Sequence, residues 1–169
     1  MRRGVFMKVM LTGGTGFIGG HLLKALTSAG HDVRLLVRDA EKLEKMLELQ
    51  GIDTEVDYVV GDMTDPATVL TSLEGCNACI HAAAFTSLDP SLMDQALAVN
   101  GPAAQLILDT AHQQGCDPII HVSTMSVIFP PNGDLLSGED PVQGGGNPYN
   151  ASKAIAEEHA RSMQADGAP

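Results

Sequence analysis

The sequence predicts an α/β protein in which a doubly wound parallel sheet carries helices on both faces. Two observations lead to this prediction: short apolar runs alternate with amphipathic helical stretches, and neither an internal repeat nor an interdomain linker interrupts them. Parallel strands need right-handed crossovers, which leaves the doubly wound sheet as the expected topology. We therefore expect residues 1–169 to form one domain, with residues 1–6 as a loose N-terminal arm.

The order of elements follows from the periodicity of the apolar residues. A first strand at 7–12 ends in a glycine cluster, and helical spacing continues from Phe17 to Ala29, with Gly30 just past the helix end. A longer helical stretch is expected to be interrupted at Gly101 and Pro102. The remaining strands are expected at 32–38, 56–60, 79–84 and 118–123, and the helices at 40–50, 66–73 and 91–114.

The last helix follows a loop rich in Pro and Gly at 129–148. Asn147 is the expected cap, and Pro148 takes the first helical position, where its missing N–H costs nothing. Tyr149 and Lys153 are four residues apart on this helix and therefore share one face. By itself such a pair occurs often on helix surfaces, so its meaning depends on the rest of the sequence.

The charge balance excludes two classes of partner. The formal net charge is −11, and a surface this acidic repels nucleic acids and anionic lipids. No apolar run reaches the ~18 residues that span a bilayer, and the first residues lack a signal-peptide cleavage site. These features predict a cytoplasmic protein that binds neither nucleic acids nor membranes.

The three cysteines do not form a disulfide framework. The segment CNAC has the spacing of a metal or redox pair, but it leads into an apolar strand, where residues three apart face opposite ways. No second CxxC motif completes a zinc site, and the histidines are scattered. We expect Cys76, Cys79 and Cys116 to be structural, and we expect no metal site.

The glycine cluster TGGTGFIGG lies between the first strand and the first helix. In this position Gly13 permits a tight turn, Gly16 allows a phosphate to approach the backbone, and Gly19 lets helix and strand pack closely. The helix N-terminus adds free N–H groups and positive potential. The cluster therefore predicts a site for the pyrophosphate of a dinucleotide.

The spacing TGxxGxxG resembles the extended branch of the short-chain dehydrogenase/reductase superfamily, the NAD-dependent epimerases and dehydratases. Further segments resemble that family in order along the chain: GDMTD at 61–65, HAAA at 81–84, VNGPAAQLI at 99–107, HVSTMSVIF at 121–129 and NPYNASKAIAEE at 147–158. The resemblance implies a Rossmann fold that binds NAD(P) through Gly13, Thr15, Gly16, Phe17, Ile18, Gly19, Arg38, Asp62, Met63, Ala82, Ala83, Ala84, Tyr149 and Lys153.

Tyr149 and Lys153 gain a chemical role from this resemblance. Hydride transfer between a nicotinamide and a carbonyl places charge on the carbonyl oxygen, and a proton must reach it. A tyrosine with a pKa near ~10 is a poor base at neutral pH, and a nearby ammonium group favours the phenolate. The resemblance implies that Tyr149 exchanges the proton and that Lys153 lowers the tyrosine pKa and holds the cofactor ribose.

Two further side chains complete the predicted catalytic set. A hydroxyl should orient the substrate oxygen, and Ser123 and Thr124 are both available at the end of the fifth strand. Because adjacent strand residues face opposite ways, only one of them is expected to reach the substrate. Matching STMSVIF to the family selects Thr124, although Ile128 and Phe129 replace the family's Tyr-Gly. The resemblance also implies that Asn100 serves a water or proton relay near Lys153.

The end of the second strand bears on the choice of cofactor. An NAD-binding site usually has an acidic residue there, but this sequence has Val37, followed by Arg38, which can bind a 2′-phosphate with charge-assisted bonds. A shift of one residue would bring Asp39 to the acidic position. We expect NADP, with NAD possible.

The motifs leave the substrate open. Met125 and Ser126 follow Thr124, where the family's 4,6-dehydratases carry an Asp-Glu pair, so dehydration is disfavoured. Oxidation or reduction of a carbonyl is favoured over the alternative, a nucleotide-sugar epimerase. A non-catalytic dinucleotide sensor is the alternative from another class, although such relatives lose the Tyr-Lys pair.

The chain ends where the extended family begins its sixth strand and its C-terminal substrate domain. We therefore expect a truncated product that retains dinucleotide affinity, lacks most turnover and self-associates. Either the open edge of the fifth strand or the long helices used by homodimers of the family would provide the contact.

Overall fold

The computed structural model describes residues 6–53 and 55–169. The loose arm expected at residues 1–6 therefore lies, apart from Phe6, outside the described residues. The elements, in chain order, are β1 (Lys8–Thr12), α1 (Phe17–Ser28), β2 (Asp32–Val37), α2 (Ala40–Gln50), β3 (Asp57–Val60), α3 (Pro66–Leu73), β4 (Ala78–His81), α4 (Met93–Gln113), β5 (Ile119–His121) and α5 (Pro148–Ala165), with 3₁₀ turns at Pro90–Leu92 and Met125–Val127.

The five strands form one sheet in the order β3-β2-β1-β4-β5. Strand β1 lies at its centre and pairs in parallel with β2, where Leu11 lies opposite Leu35, and with β4, where Leu11 lies opposite Ile80. Strand β3 pairs in parallel with the outer side of β2. This order confirms the doubly wound topology predicted from the alternation of strands and helices.

Local capping explains the close match between predicted and observed helix ends. Asp39 caps α2 by accepting a hydrogen bond from Lys42 N at 3.1 Å, and Gly51 closes that helix with a φ of 62°. Asp65 caps α3 in the same way. Asn147 caps α5 by accepting from Asn150 N at 2.9 Å. Each cap satisfies one of the N–H groups that a helix start leaves without a partner.

The predicted interruption of the fourth helix at Gly101 and Pro102 is wrong. Helix α4 runs without a break from Met93 to Gln113 with Pro102 inside it. Gly101 has a packing role instead, because a Cβ at this position would lie 2.8 Å from Cγ2 of Ile155 on α5. The glycine lets the two helices approach and does not end either of them.

The chain divides into two compact units, which are described separately. The first contains the described residues up to 83, residues 106–120 and residue 169; the second contains residues 84–105 and 121–168. Helix α4 contributes its second half to the first unit and its first half to the second. The single domain expected from the sequence stays a prediction.

The core of the first unit is an apolar cluster between the sheet and the helices that cover it. Each large side chain that it removes from water contributes about 1.5–3 kcal/mol to folding. Its buried members are Met10, Leu36, Val69, Leu73, Cys76, Cys79, Ile107, Ala111 and Cys116.

All three cysteines are free thiols in this cluster. The expectation that Cys76 and Cys79 point to opposite faces of a strand is wrong, because β4 begins only at Ala78 and Cys76 precedes it. Burial raises the pKa of all three thiols, that of Cys116 to about 11. These thiols therefore stay protonated and serve as small apolar side chains.

The second unit is organised around α5 and the loop before it. Asp140 is buried in this loop and accepts hydrogen bonds from Asn132 N at 3.1 Å and Ser137 N at 2.8 Å. Arg161 on α5 donates to the carbonyl oxygen of Asp140 at 2.7 Å. The long connection is thus tied to the helix that carries Tyr149 and Lys153. None of the helices in the described part of the chain has the length and apolarity needed to cross a membrane.

Candidate active site

The glycine cluster forms a tight turn between β1 and α1. Gly13 has a φ of 77°, and a Cβ there would lie 2.8 Å from the backbone nitrogen of Ala83. A Cβ on Gly19 would overlap the carbonyl oxygen of Gly13. Gly16 N donates to Gly13 O at 2.9 Å, which closes the turn. Side chains are therefore excluded at Gly13 and Gly19, and the glycine positions predicted from the spacing fit a binding site for a pyrophosphate.

The N-terminus of α1 opens at this loop. Gly16 supplies no capping side chain, so the first N–H groups of the helix can serve an anion. Phe17 and Ile18 in the first turn are 81% and 56% exposed. Thr15 is half-buried beside them. These residues suit the contact with a dinucleotide that the resemblance implies.

Thr12 and His81 form a buried pair at the ends of β1 and β4, which the sequence analysis missed. Thr12 Oγ1 lies 2.7 Å from His81 Nδ1 and accepts a hydrogen bond from Ala83 N at 3.1 Å. Together with the backbone contact at Gly13, this pair holds Ala82 and Ala83 against the glycine loop. Both residues lie within the quoted motifs, but no spacing rule indicates that their side chains meet.

The end of β2 presents the residues that bear on cofactor choice. Val37 is buried, whereas Arg38 is exposed. Asp39 is held as the cap of α2. The Asp62 carboxylate accepts from Thr64 N at 2.8 Å and Thr64 Oγ1 at 2.6 Å, and these bonds, with the charge of Arg38, hold the pKa of Asp62 below its ordinary value. Arg38 and Asp62 are thus brought near each other, and Met63 beside them packs on the apolar core.

In the second unit, Lys153 is 3% exposed and its ammonium group is held at the end of β5. Lys153 Nζ donates to the carbonyl oxygen of Val122 at 2.8 Å and lies 3.0 Å from His121 Nε2. Burial lowers the pKa of Lys153 to about 8, an effect that Glu157 opposes. Burial and the Lys153 charge lower the pKa of His121 to about 4, so His121 is neutral near pH 7 and its Nε2 can accept a hydrogen bond from the ammonium group. His121 begins the segment HVSTMSVIF, but motif spacing does not predict its contact with Lys153.

Tyr149 is half-buried in the first turn of α5. Its carbonyl oxygen accepts a hydrogen bond from Ser152 Oγ at 3.0 Å. In the part of the chain that the structure describes, no hydrogen bond joins the Tyr149 hydroxyl to Lys153, whose donors face β5. The action of Lys153 on Tyr149 stays a prediction.

Asn100 is buried and its side-chain amide is fully engaged. Its Oδ1 accepts from Phe85 N at 2.7 Å, and its Nδ2 donates to Phe85 O at 2.8 Å and to Ser152 Oγ at 2.8 Å. Asn100 therefore ties the segment that follows Ala84 to the helix that carries Tyr149. Its expected part in a relay stays a prediction.

Thr124 begins the 3₁₀ turn Met125–Val127 and contacts Ser126. The two hydroxyl oxygens lie 2.9 Å apart, and Ser126 Oγ donates to Asn150 Oδ1 at 2.8 Å. Next to this turn lies a cavity of about 440 Å³. Its lining residues are Met125, Ser126, Phe129, Gln143, Gly145 and Asn150.

Comparison with known proteins places the chain in a family. A family profile described as the 3-beta hydroxysteroid dehydrogenase/isomerase family matches residues 10–167. Over 157 residues the chain is 27% identical to Sterol demethylase protein B of Methylococcus capsulatus, a match covering 89% of this chain and 45% of that protein. Over 162 residues it is 32% identical to dTDP-glucose 4,6-dehydratase of Streptomyces antibioticus, covering 89% of this chain and 47% of that protein.

A solved structure shows the same fold. UDP-glucose 4-epimerase of Thermus thermophilus, in complex with NAD, matches with a TM-score of 0.78 and 27% identity over 96% of this chain and 52% of that one. The chain spans about half the length of the curated relatives it matches. The relatives include reductases, dehydrogenases, epimerases and dehydratases. The chain belongs to the 3-beta hydroxysteroid dehydrogenase/isomerase family, within the extended short-chain dehydrogenase/reductase superfamily.

Proposed function

We propose that the chain carries the cofactor-binding and catalytic residues of an NADP-dependent oxidoreductase that acts on a carbonyl or a secondary alcohol. When bound, the nicotinamide supplies or accepts the hydride. Tyr149 gives a proton to the carbonyl oxygen during reduction and takes it back during oxidation. Thr124 donates a hydrogen bond to the same oxygen, and the Lys153 ammonium favours the tyrosinate. Asn100 holds the segment that follows Ala84 through Phe85 and ties it to α5 through Ser152.

The cavity beside Thr124 is the observation that carries this choice of reaction. Of the described residues that line it, none is ionisable: two are apolar, and the others are glycine, serine and amides. Dehydration needs an acid–base pair, and this turn offers Met125 and Ser126 instead. A nucleoside diphosphate needs cationic partners, which the lining lacks. The cavity suits a neutral substrate with an apolar face and one hydrogen-bonding group.

The choice of NADP rests on Arg38 and Asp39. Asp39 is engaged as the cap of α2, which leaves the exposed Arg38 as the residue at the end of β2 suited to a ribose substituent. A guanidinium group binds a 2′-phosphate with two charge-assisted bonds. The solved relative named above contains NAD, so NAD remains the alternative cofactor.

Turnover assays on the complete protein test this proposal. With NADPH and a panel of neutral ketones, we expect oxidation of the cofactor that depends on the ketone. Interconversion of UDP-sugars or dTDP-sugars without net change in the nicotinamide would favour the epimerase instead. Cofactor binding without either reaction would favour the sensor. The cytoplasmic location and the homodimer also remain predictions.

A further inference from the structure

A chain of side-chain hydrogen bonds links the turn that carries Thr124 to the first turn of α5. Thr124 Oγ1 lies 2.9 Å from Ser126 Oγ, which lies 2.8 Å from Asn150 Oδ1. The backbone N–H of Ser126 also donates to Thr124 Oγ1 at 3.3 Å. The backbone N–H of Asn150 donates to the Asn147 cap, and the side-chain oxygen of Asn150 separately accepts from Ser126. Ser126 and Asn150 both line the cavity beside this turn.

The chemistry of these groups fixes the direction of the hydrogen bonds. An amide oxygen can only accept, and a serine hydroxyl has one proton to donate. Because Ser126 donates its proton to Asn150, its oxygen accepts from the Thr124 hydroxyl. The Thr124 oxygen is held in turn by the N–H of Ser126. The position of the Thr124 hydroxyl therefore depends on Ser126, whose own orientation depends on Asn150.

We propose that Ser126 and Asn150 are positioning residues that hold the Thr124 hydroxyl in place for the substrate oxygen. This inference rests on the proposed function, in which Thr124 binds that oxygen. Rotation about the Cβ–Oγ1 bond turns the Thr124 hydroxyl proton from Ser126 to the substrate oxygen. Meanwhile the N–H of Ser126 keeps the threonine oxygen in place. Without the Ser126 hydroxyl, the Thr124 side chain loses its hydrogen bond to Ser126 Oγ and samples other rotamers.

A double-mutant cycle in the complete protein tests the proposal, with NADPH and a ketone substrate from the panel above. Ser126→Ala should lower kcat by roughly 10- to 100-fold with little change in NADPH affinity. Ser126→Thr, which restores a hydroxyl, should recover most of that loss. In a Thr124→Ala background, Ser126→Ala should cause no further loss, because the group that it positions is gone. Ser162→Ala, on the exposed side of α5, is the control and should leave turnover unchanged.

Asn150→Leu provides a second cycle if Ser126→Ala does not fold. This variant removes the acceptor at the Asn150 end of the hydrogen-bond chain. The decrease in kcat that it causes should likewise disappear in the Thr124→Ala background. Equal losses in the two backgrounds would mean that these residues support the fold generally, and the proposal would be overturned. Turnover that depends on Tyr149 and Thr124 but not on Ser126 or Asn150 would overturn this inference alone. Turnover that survives Thr124→Ala would overturn the proposed role of Thr124 as well.

Discussion

At the scale of single residues, backbone groups hold two of the buried polar side chains of the site. Lys153 is bound to the Val122 carbonyl, and Asn100 to both backbone groups of Phe85. The identities of these residues could be predicted from motif spacing. Their partners could not, because a partner depends on rotamers and on residues distant in sequence. His121 beside Lys153 and His81 beside Thr12 are the clearest examples.

Tyr149→Phe should lower turnover of the complete protein by ~10²–10⁴ with little effect on cofactor affinity, as expected for the loss of a general acid–base group. Steady-state kinetics and calorimetric titration with NADPH measure the two quantities. Tyr58→Phe, on β3, is a matched control, because its ring lies on the edge strand of the sheet. Turnover of Tyr149→Phe within a factor of a few of the unmodified protein would remove Tyr149 from the mechanism.

Arg38→Ala should weaken NADP binding by roughly 10- to 150-fold and leave NAD binding nearly unchanged. The loss corresponds to a charge-assisted contact of ~1.5–3 kcal/mol with the 2′-phosphate. Calorimetry with both cofactors on the same preparation makes this comparison. Equal losses for NAD and NADP, or none for NADP, would show that Arg38 does not select the cofactor.

At the scale of helices and strands, the sequence predicted nearly every element to within a few residues. The α2 and α3 boundaries were predicted correctly from apolar periodicity, and in the structure Asp39 and Asp65 cap the two helices at those starts. Two predictions were wrong, the interruption of α4 and the opposite orientation of Cys76 and Cys79, and tertiary contacts explain both. Gly101 is needed because Ile155 leaves no room for a Cβ at this position. Cys76 lies in the turn before β4 and packs in the same core as Cys79. Neither contact can be inferred from local periodicity.

The contact between α5 and β5 predicts how stability depends on alkaline pH. The pKa of Lys153 is about 8 in the folded protein and 10.5 ordinarily, so the folded state releases this proton first as pH rises. The contribution of Lys153 to the free energy of unfolding therefore increases between about pH 8 and 10.5, by up to roughly 3 kcal/mol. Below that window the cost of burying the charged ammonium group is present in full.

Urea denaturation of the unmodified protein and of Lys153→Met at pH 7.5, 9 and 10.5 isolates this contribution, because titration of the other lysines and of the cysteines is common to both. The unfolding free energy of the unmodified protein, relative to that of Lys153→Met, should increase from pH 7.5 to pH 10.5. A constant difference would show that burial does not lower the pKa of Lys153.

At the scale of the whole molecule, the doubly wound topology was predicted from the alternation of strands and helices and the handedness of crossovers, and the order β3-β2-β1-β4-β5 of the described strands confirms it. Dinucleotide binding should stabilise the 169-residue chain as a whole, because a ligand that binds only the folded state adds to its stability. At 100 times the dissociation constant the gain is about 2.7 kcal/mol, or roughly 5–10 °C in Tm. Thermal unfolding with and without NADP measures it. No rise in Tm with either NADP or NAD at millimolar concentration would contradict cofactor binding by this chain.

The central proposal is that the complete protein uses NADPH to reduce a neutral carbonyl compound. The most direct test follows the absorbance of NADPH in the presence of the complete protein and each ketone of the panel. We predict consumption of NADPH that requires a ketone, runs faster than with NADH and is lost in Tyr149→Phe. The absence of ketone-dependent consumption, in a preparation shown to bind NADPH, would contradict the account.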